Sequence, residues 1–144
     1  MALVDVDRQV AELSGRHRSF VQHLRFDGED ANSHEFKIPG TIGYTVVGLM
    51  VFHPDDGEVL VEVFGSFDPD ASASDTDKTV FSAAIASYDS DGTAATGDNV
   101  LADGDWNGIV FRNYWFPYLI VRASFDAVAT GEAIDVYVAL SSQE

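Results

Sequence analysis

Along most of this chain apolar and polar positions alternate with a period of two. From about Ser19, Phe20, Leu24 and Phe26 fall on one side, with Gln22 interrupting the apolar run. Val59, Val61 and Val63 face one way, and Leu60, Glu62 and Phe64 the other. Near the C terminus Ile134, Val136, Val138 and Leu140 share a side. Such alternation marks strands half-buried against a core. Tyr44 to His53 is apolar at nearly every position, which predicts a strand buried on both faces. Shorter strands are expected over Glu35 to Ile38, Thr79 to Ser87, Ile109 to Arg112 and Tyr118 to Phe125, with a marginal one at Val100-Leu101.

The breaks between these runs carry turn residues. Pro39-Gly40, Pro54-Asp55-Asp56-Gly57, Asp89-Ser90-Asp91-Gly92 and Gly104-Asp105-Trp106-Asn107-Gly108 read as turns, and Asp68 to Asp77 as a long acidic loop. About eight short strands with such spacing predict a mainly β fold, a β-sandwich or jelly roll. The first segment reads differently. Val6, Val10, Leu13 and His17 recur at steps of four, three and four, which predicts a short N-terminal helix with Asp5 or Asp7 at its start and Gly15 near its end. The expected organisation is therefore a helical arm over residues 1–17 and a β-sandwich domain over 18–144. A helix of this length is marginal alone in water, so Val6, Val10 and Leu13 require a surface, either the domain's own or a neighbouring subunit's.

Composition agrees with one globular domain. The chain has 144 residues, 46% of them hydrophobic and 12% aromatic. It has no cysteine, which excludes disulfides, thiolate metal sites and cysteine catalysis. Its start has no cationic stretch followed by an apolar run and is not expected to be a signal peptide. No apolar window approaches the roughly 20 residues that span a bilayer, and no membrane partner is expected. Charge changes the picture most. There are 24 Asp and Glu against 8 Lys and Arg, giving a net charge of −16. Such a chain repels nucleic acid, which is excluded as a partner, and it repels itself in dilute buffer. At about 1 M salt the Debye length is roughly 3 Å and this repulsion is screened. The acidic, lysine-poor composition resembles that of proteins of halophilic archaea and their viruses.

No catalytic constellation stands out, and the chain is not expected to be an enzyme. His17, His23, His34 and His53 form no zinc-binding spacing. There is no Gly-x-Ser-x-Gly elbow or phosphate-binding glycine loop, and Ser66 reads as a sheet residue. Carboxylate pairs abound, as so acidic a composition dictates, and none is singled out as a glycosidase pair. Asp89 and Asp91, alternating before Gly92, are the candidate ligands for a hard cation such as calcium, although the closing glutamate of an EF-hand loop is missing. No other cofactor is expected. Tyr114, Trp115 and Phe116, with Trp106 nearby in sequence, have three readings: core, subunit interface, or a stacking platform for sugars.

The segment Asn113-Tyr114-Trp115-Phe116-Pro117-Tyr118-Leu119-Ile120-Val121-Arg122-Ala123, followed by a turn and Ile134-Asp135-Val136-Tyr137-Val138, resembles the closing hairpin of small β-sandwich virion proteins of tailed viruses. Glu62-Val63-Phe64-Gly65-Ser66-Phe67-Asp68 is similar to their central strand. Together with the acidic surface, the resemblance implies a structural protein of a haloarchaeal tailed virus. A capsid turret or decoration protein comes first, and a tail or neck component next. It would reside in the virion as a homo-oligomer beside other virion structural proteins, joined through Val6, Val10, Leu13, Trp106, Tyr114, Trp115 and Phe116. The alternative function class is a halophilic β-sandwich module that binds carbohydrate or calcium.

Overall fold

Period-two alternation needs a second layer to bury its apolar side, and the chain supplies one by forming two stacked sheets. The computed structural model describes residues 4–12, 18–27, 33–52, 59–87, 100–101, 106–112, 114–125 and 133–142, and among these there are ten strands and no helix. The first sheet has the order β1 (Val4–Glu12), β2 (Arg18–Asp27), β10 (Ala133–Ser141), β4 (Val46–Phe52), β8 (Trp106–Arg112). The second has the order β3 (Ser33–Pro39), β9 (Tyr118–Phe125), β5 (Val59–Ser66), β6 (Val80–Ser87), β7 (Val100–Leu101). Neighbouring strands are antiparallel except β6 and β7, which are parallel.

The core lies between the sheets. The first contributes Phe20, Leu24 and Phe26 from β2, Val47, Leu49 and Val51 from β4, and Ile134, Val136, Val138 and Leu140 from β10. The second contributes Ile38, Val59, Val61, Val63, Leu119, Val121, Ala123 and Phe125. Full burial of such a side chain contributes roughly 1.5–3 kcal/mol. Gln22, which interrupts the apolar side of β2, is buried along with it.

Three expectations are corrected. The N-terminal helix is absent, because Val4–Glu12 is β1, paired with β2 from Val4 opposite Phe26 to Glu12 opposite Arg18. A step of four residues satisfies a period of two as well as one of 3.6, and Val4-Asp5-Val6-Asp7 alternates strictly. Edge pairing with β2 gives each backbone group of one side a partner, whereas a short helix stays marginal. Second, β4 is buried on one face only. Val47, Leu49 and Val51 point inward, while Met50 on the outer face is 42% exposed. Third, the turn expected over residues 104–108 is partly strand, since β8 begins at Trp106.

The strand directions gather three described loops at one end of the sandwich. Residues 40–45 cross from β3 to β4, 67–79 join β5 to β6, and 114–117 lead into β9. Pro39 and Ser66 both pair with Tyr118, which places the second sheet's strand ends together there.

Candidate binding surface at the loop end

The loop over 114–117 is tied down from inside. Tyr114 is 3% exposed, and its hydroxyl donates to the Tyr118 carbonyl at 2.7 Å. The buried Thr41 hydroxyl donates to the Phe116 carbonyl at 2.6 Å, and its backbone N–H donates to the Pro117 carbonyl at 3.1 Å. Each hydroxyl has one proton and spends it on a carbonyl, so the 3.4 Å approach of the two oxygens is a weak contact. Burial pushes the Tyr114 phenol well above its ordinary value, with nearby Thr41 acting in the opposite direction. Gly40 and Gly43 take φ of 72° and 93°, a region glycine enters at no steric cost, and so let residues 40–45 turn beneath this loop.

Phe116 closes the core at this end. Its ring lies against the α-carbon of Gly65 in β5, so close that a β-carbon there would fall 2.1 Å from the ring. The same ring meets Tyr114 at 5.5 Å and Phe67 at 5.2 Å between centroids, both tilted by about 60° as aromatic pairs prefer. Trp115, between the two inward rings, points out and is 69% exposed.

The acidic loop is laid down on the outer face of the second sheet. Its Ala71 and Ala73 bury against Phe64 and Ile120. Ala73 N–H donates to the Glu35 carboxylate at 3.1 Å, and the Lys37 ammonium to the Pro69 carbonyl at 2.5 Å. Most of its polar side chains brace the backbone. Asp68 accepts the Asp70 amide at 2.8 Å, and Asp75 the Ser72 amide at 2.9 Å. Ser66 accepts the Asp68 amide at 3.0 Å and donates to the Lys78 carbonyl at 2.7 Å, closing the base of the loop. Ser66 is therefore a buried structural residue at the end of a strand. A register shift between Val63 and Phe64 lets Ser82 bulge from β6, which sets Phe81 beside Phe64 at 5.7 Å.

Between these loops lies an open depression of about 340 Å³ lined by Ser66, Phe67, Asp68, Asp77, Lys78, Thr79, Val80 and Phe116. Phe67 is 68% exposed. Lys78 faces Asp68 at 3.6 Å, an exposed pair of little energetic weight. Asp77 has no hydrogen bond or ion pair among the described residues. The surface thus sets two rings, with an exposed indole on the adjoining loop, beside two carboxylates, an ammonium and the hydroxyls of Ser66 and Thr79. That combination suits a ligand with apolar faces and polar edges.

The structure gathers only part of what the sequence singled out. Tyr114, Trp115 and Phe116 share the loop end, but with three different roles: anchor, exposed surface, and half-buried lid. Trp106 lies at the far end of β8, about 20 Å of strand from Arg112. Val6 and Val10 are on β1, at the opposite edge of the first sheet from β8, and Val6 is exposed. Leu13, Asp89 and Asp91 lie outside the described residues, so the cation site expected at Asp89 and Asp91 is neither placed nor removed. Among the described residues no group of three His, Asp or Glu is arranged to hold a metal. His23 Nε2–H donates to the Asp135 carboxylate at 2.8 Å and the ring stacks on Tyr137, and His34 is packed between Phe26 and Phe125. Phe67, Asp77, Lys78 and Val80 were not singled out, because the acidic loop around them gives no period to read.

No family model matches the chain, and no curated protein sequence matches it. Several solved structures share its general shape. The xylan-binding CBM22-1 domain of Xyn10C from Paenibacillus barcinonensis is 12% identical, covering 100% of this chain and 86% of that one, with a TM-score of 0.43. The surface-associated copper-binding protein CorA of Methylomicrobium album BG8 is 11% identical, covering 76% and 93%, with a TM-score of 0.42. The enzymatically active domain of tailspike protein 4 of bacteriophage CBA120 is 11% identical, covering 96% of this chain but 18% of that one, with a TM-score of 0.45. At such identities and scores neither ligand nor reaction carries over.

Proposed function

We propose that the chain is a non-catalytic carbohydrate-binding module whose ligand rests on the loop-end surface of Phe67, Phe116 and Trp115. One observation carries this reading: the exposed ring of Phe67, packed on half-buried Phe116, stands beside the polar groups of Asp68, Asp77, Lys78 and Thr79 in a depression open enough for a chain to lie across it. A sugar ring has an apolar face of C–H groups and a rim of hydroxyls. Aromatic rings cover the first, and carboxylate and ammonium groups pair with the second. The anchoring of the loop by Tyr114 and Thr41 means that the rings are ordered before the ligand arrives, which reduces the entropy lost on binding. The test is binding of an oligosaccharide panel in molar salt. Trp115→Ala and Phe67→Ala should each lower affinity at least tenfold while circular dichroism stays unchanged. A panel with no bound member would overturn the reading.

A second reading, a structural subunit of a virus particle, is the one the sequence resemblance implies. What favours it is the outer face of the first sheet, where Ala139, Gly48 and Val110 form an uncharged row beside Tyr137 and Met50. By register Asp5, Asp7, Asp27 and Asp135 share that face toward the β1–β2 side, and Asp135 is held by His23 and Arg25. In a chain of net charge −16 the uncharged row is where a second copy would meet least repulsion. Light scattering in molar salt separates the two readings, since a stable oligomer supports assembly and a monomer supports the module.

A further inference from the structure

We infer, resting on the carbohydrate reading above, that the loop-end depression selects an amino sugar, recognised through its protonated amine. The charges in the lining are Asp68, Asp77 and Lys78. Asp68 is committed twice, one oxygen to the Asp70 amide at 2.8 Å and the other facing Lys78 at 3.6 Å. That leaves Asp77, exposed in the lining and without a hydrogen bond or ion pair among the described residues, as the group free to take a cation. Beside it stand the rings of Phe67 and Phe116, and the face of an aromatic ring attracts a cation within about 6 Å of its centroid. The fold already uses this pairing on the adjacent sheet face, where the Arg122 guanidinium lies 5.1 Å from the Phe64 ring.

A neutral sugar would use Asp77 only as an acceptor for a hydroxyl. An ammonium on the ring makes that contact charge-assisted and adds attraction to the rings. The overall charge of −16 works in the same direction, drawing cations toward the surface and excluding uronic or sulfated glycans. An exposed ion pair and an exposed cation–π contact each amount to a factor of about 2–5, so together they give roughly a tenfold preference at low ionic strength. Screening at about 1 M salt, where the Debye length is roughly 3 Å, should erode most of it.

The experiment is calorimetric titration of the full chain at mildly acidic pH, in the lowest salt at which circular dichroism shows it folded. The ligands are a glucosamine pentamer, its fully N-acetylated counterpart, and pentalysine. The inference predicts about tenfold tighter binding of the glucosamine pentamer than of the acetylated one. Asp77→Asn, which removes an exposed carboxylate with no described partner but keeps an acceptor oxygen, should cut that ratio to the roughly two- to fivefold left by the rings, and should weaken the acetylated sugar less than the amino sugar. Phe67→Ala should weaken both sugars. Equal affinities in the unsubstituted protein, or a ratio unmoved by Asp77→Asn, would overturn the amino-sugar inference and leave the carbohydrate reading standing. Pentalysine bound as tightly as the glucosamine pentamer would also overturn it, because the sugar ring would then contribute nothing. Binding of neither sugar would overturn the amino-sugar inference, and the carbohydrate reading would fall with it only if the wider oligosaccharide panel also had no bound member.

Discussion

The seat of Phe116 on Gly65 makes a sharp test of how the loop end is built. In Gly65→Ala the new β-carbon would stand 2.1 Å from Cδ2, 2.4 Å from Cγ and 2.8 Å from Cε2 of Phe116. Carbon atoms in contact settle at about 3.5–4.0 Å, so the ring must leave. It cannot simply tilt, because the Phe116 carbonyl is held by Thr41 at 2.6 Å and its ring is flanked by Tyr114 at 5.5 Å and Phe67 at 5.2 Å. Forcing carbon into a packed site costs about 1–3 kcal/mol. A loss of about 2 kcal/mol lowers the melting temperature of a chain this size by roughly 4–8 °C. The sign should reverse when the ring is gone. With Phe116→Ala as background, the same Gly65→Ala change no longer meets the ring atoms nearest to it and restricts the unfolded chain, for a gain of about 0.4–1 kcal/mol. Denaturant titration of both single variants and the double variant in molar salt gives a coupling of about 2–3 kcal/mol if ring and glycine are in contact. A Gly65→Ala variant as stable as the parent, or equally destabilised in both backgrounds, would refute the seat.

Two further predictions follow from charge and burial. Melting temperature should rise steeply between about 0.1 M and about 1 M salt, as the Debye length falls from about 10 Å to about 3 Å over a net charge of −16, and a flat or falling curve would remove the halophile expectation. Because folded Tyr114 keeps its proton above the ordinary phenol value of 10.0, stability should fall as pH rises beyond that value, where only the unfolded chain releases the proton. Tyr114→Phe should lose about 1 kcal/mol near neutral pH with the hydrogen bond to Tyr118, and show a shallower alkaline slope by denaturant titration, whereas an unchanged slope would mean that the phenol is not sealed from solvent.

The strands were legible wherever one face is buried and the other wet. Val59, Val61 and Val63, or Ile134 to Leu140, alternate because the pleat alternates, and the structure buries the side the pattern indicates. Legibility failed where two periods coincide. At Val6 and Val10 a spacing of four fits helix and strand alike, and the preference of β1 for β2 is a tertiary fact that no local pattern contains. It failed again at Tyr44 to His53, where glycine and methionine on an outer face look as apolar as a core strand. Met50 and Gly48 belong to an uncharged row of the outer sheet face, with Ala139 and Val110, and that row is not covered by the second sheet.

The aromatic loop shows why site residues resist a reading by segment. Core, interface and sugar platform are alternatives for the stretch as a whole, yet they separate residue by residue once the backbone is placed. Tyr114 points in and spends its hydroxyl on Tyr118, Trp115 points out, and Phe116 turns back in over Gly65. These three residues alternate in, out and in, but out of step with β8, where Val110 and Arg112 point outward, so extending the strand pattern could not have picked Trp115 as the exposed residue. Its neighbours at the surface come from another loop, since Phe67 and Val80 reach the depression only because Ala71 and Ala73 pin the acidic segment to the sheet. Phe67 packs edge-on against Phe116 at 5.2 Å and leaves 68% of its surface exposed, which is the position the proposed binding role requires of it.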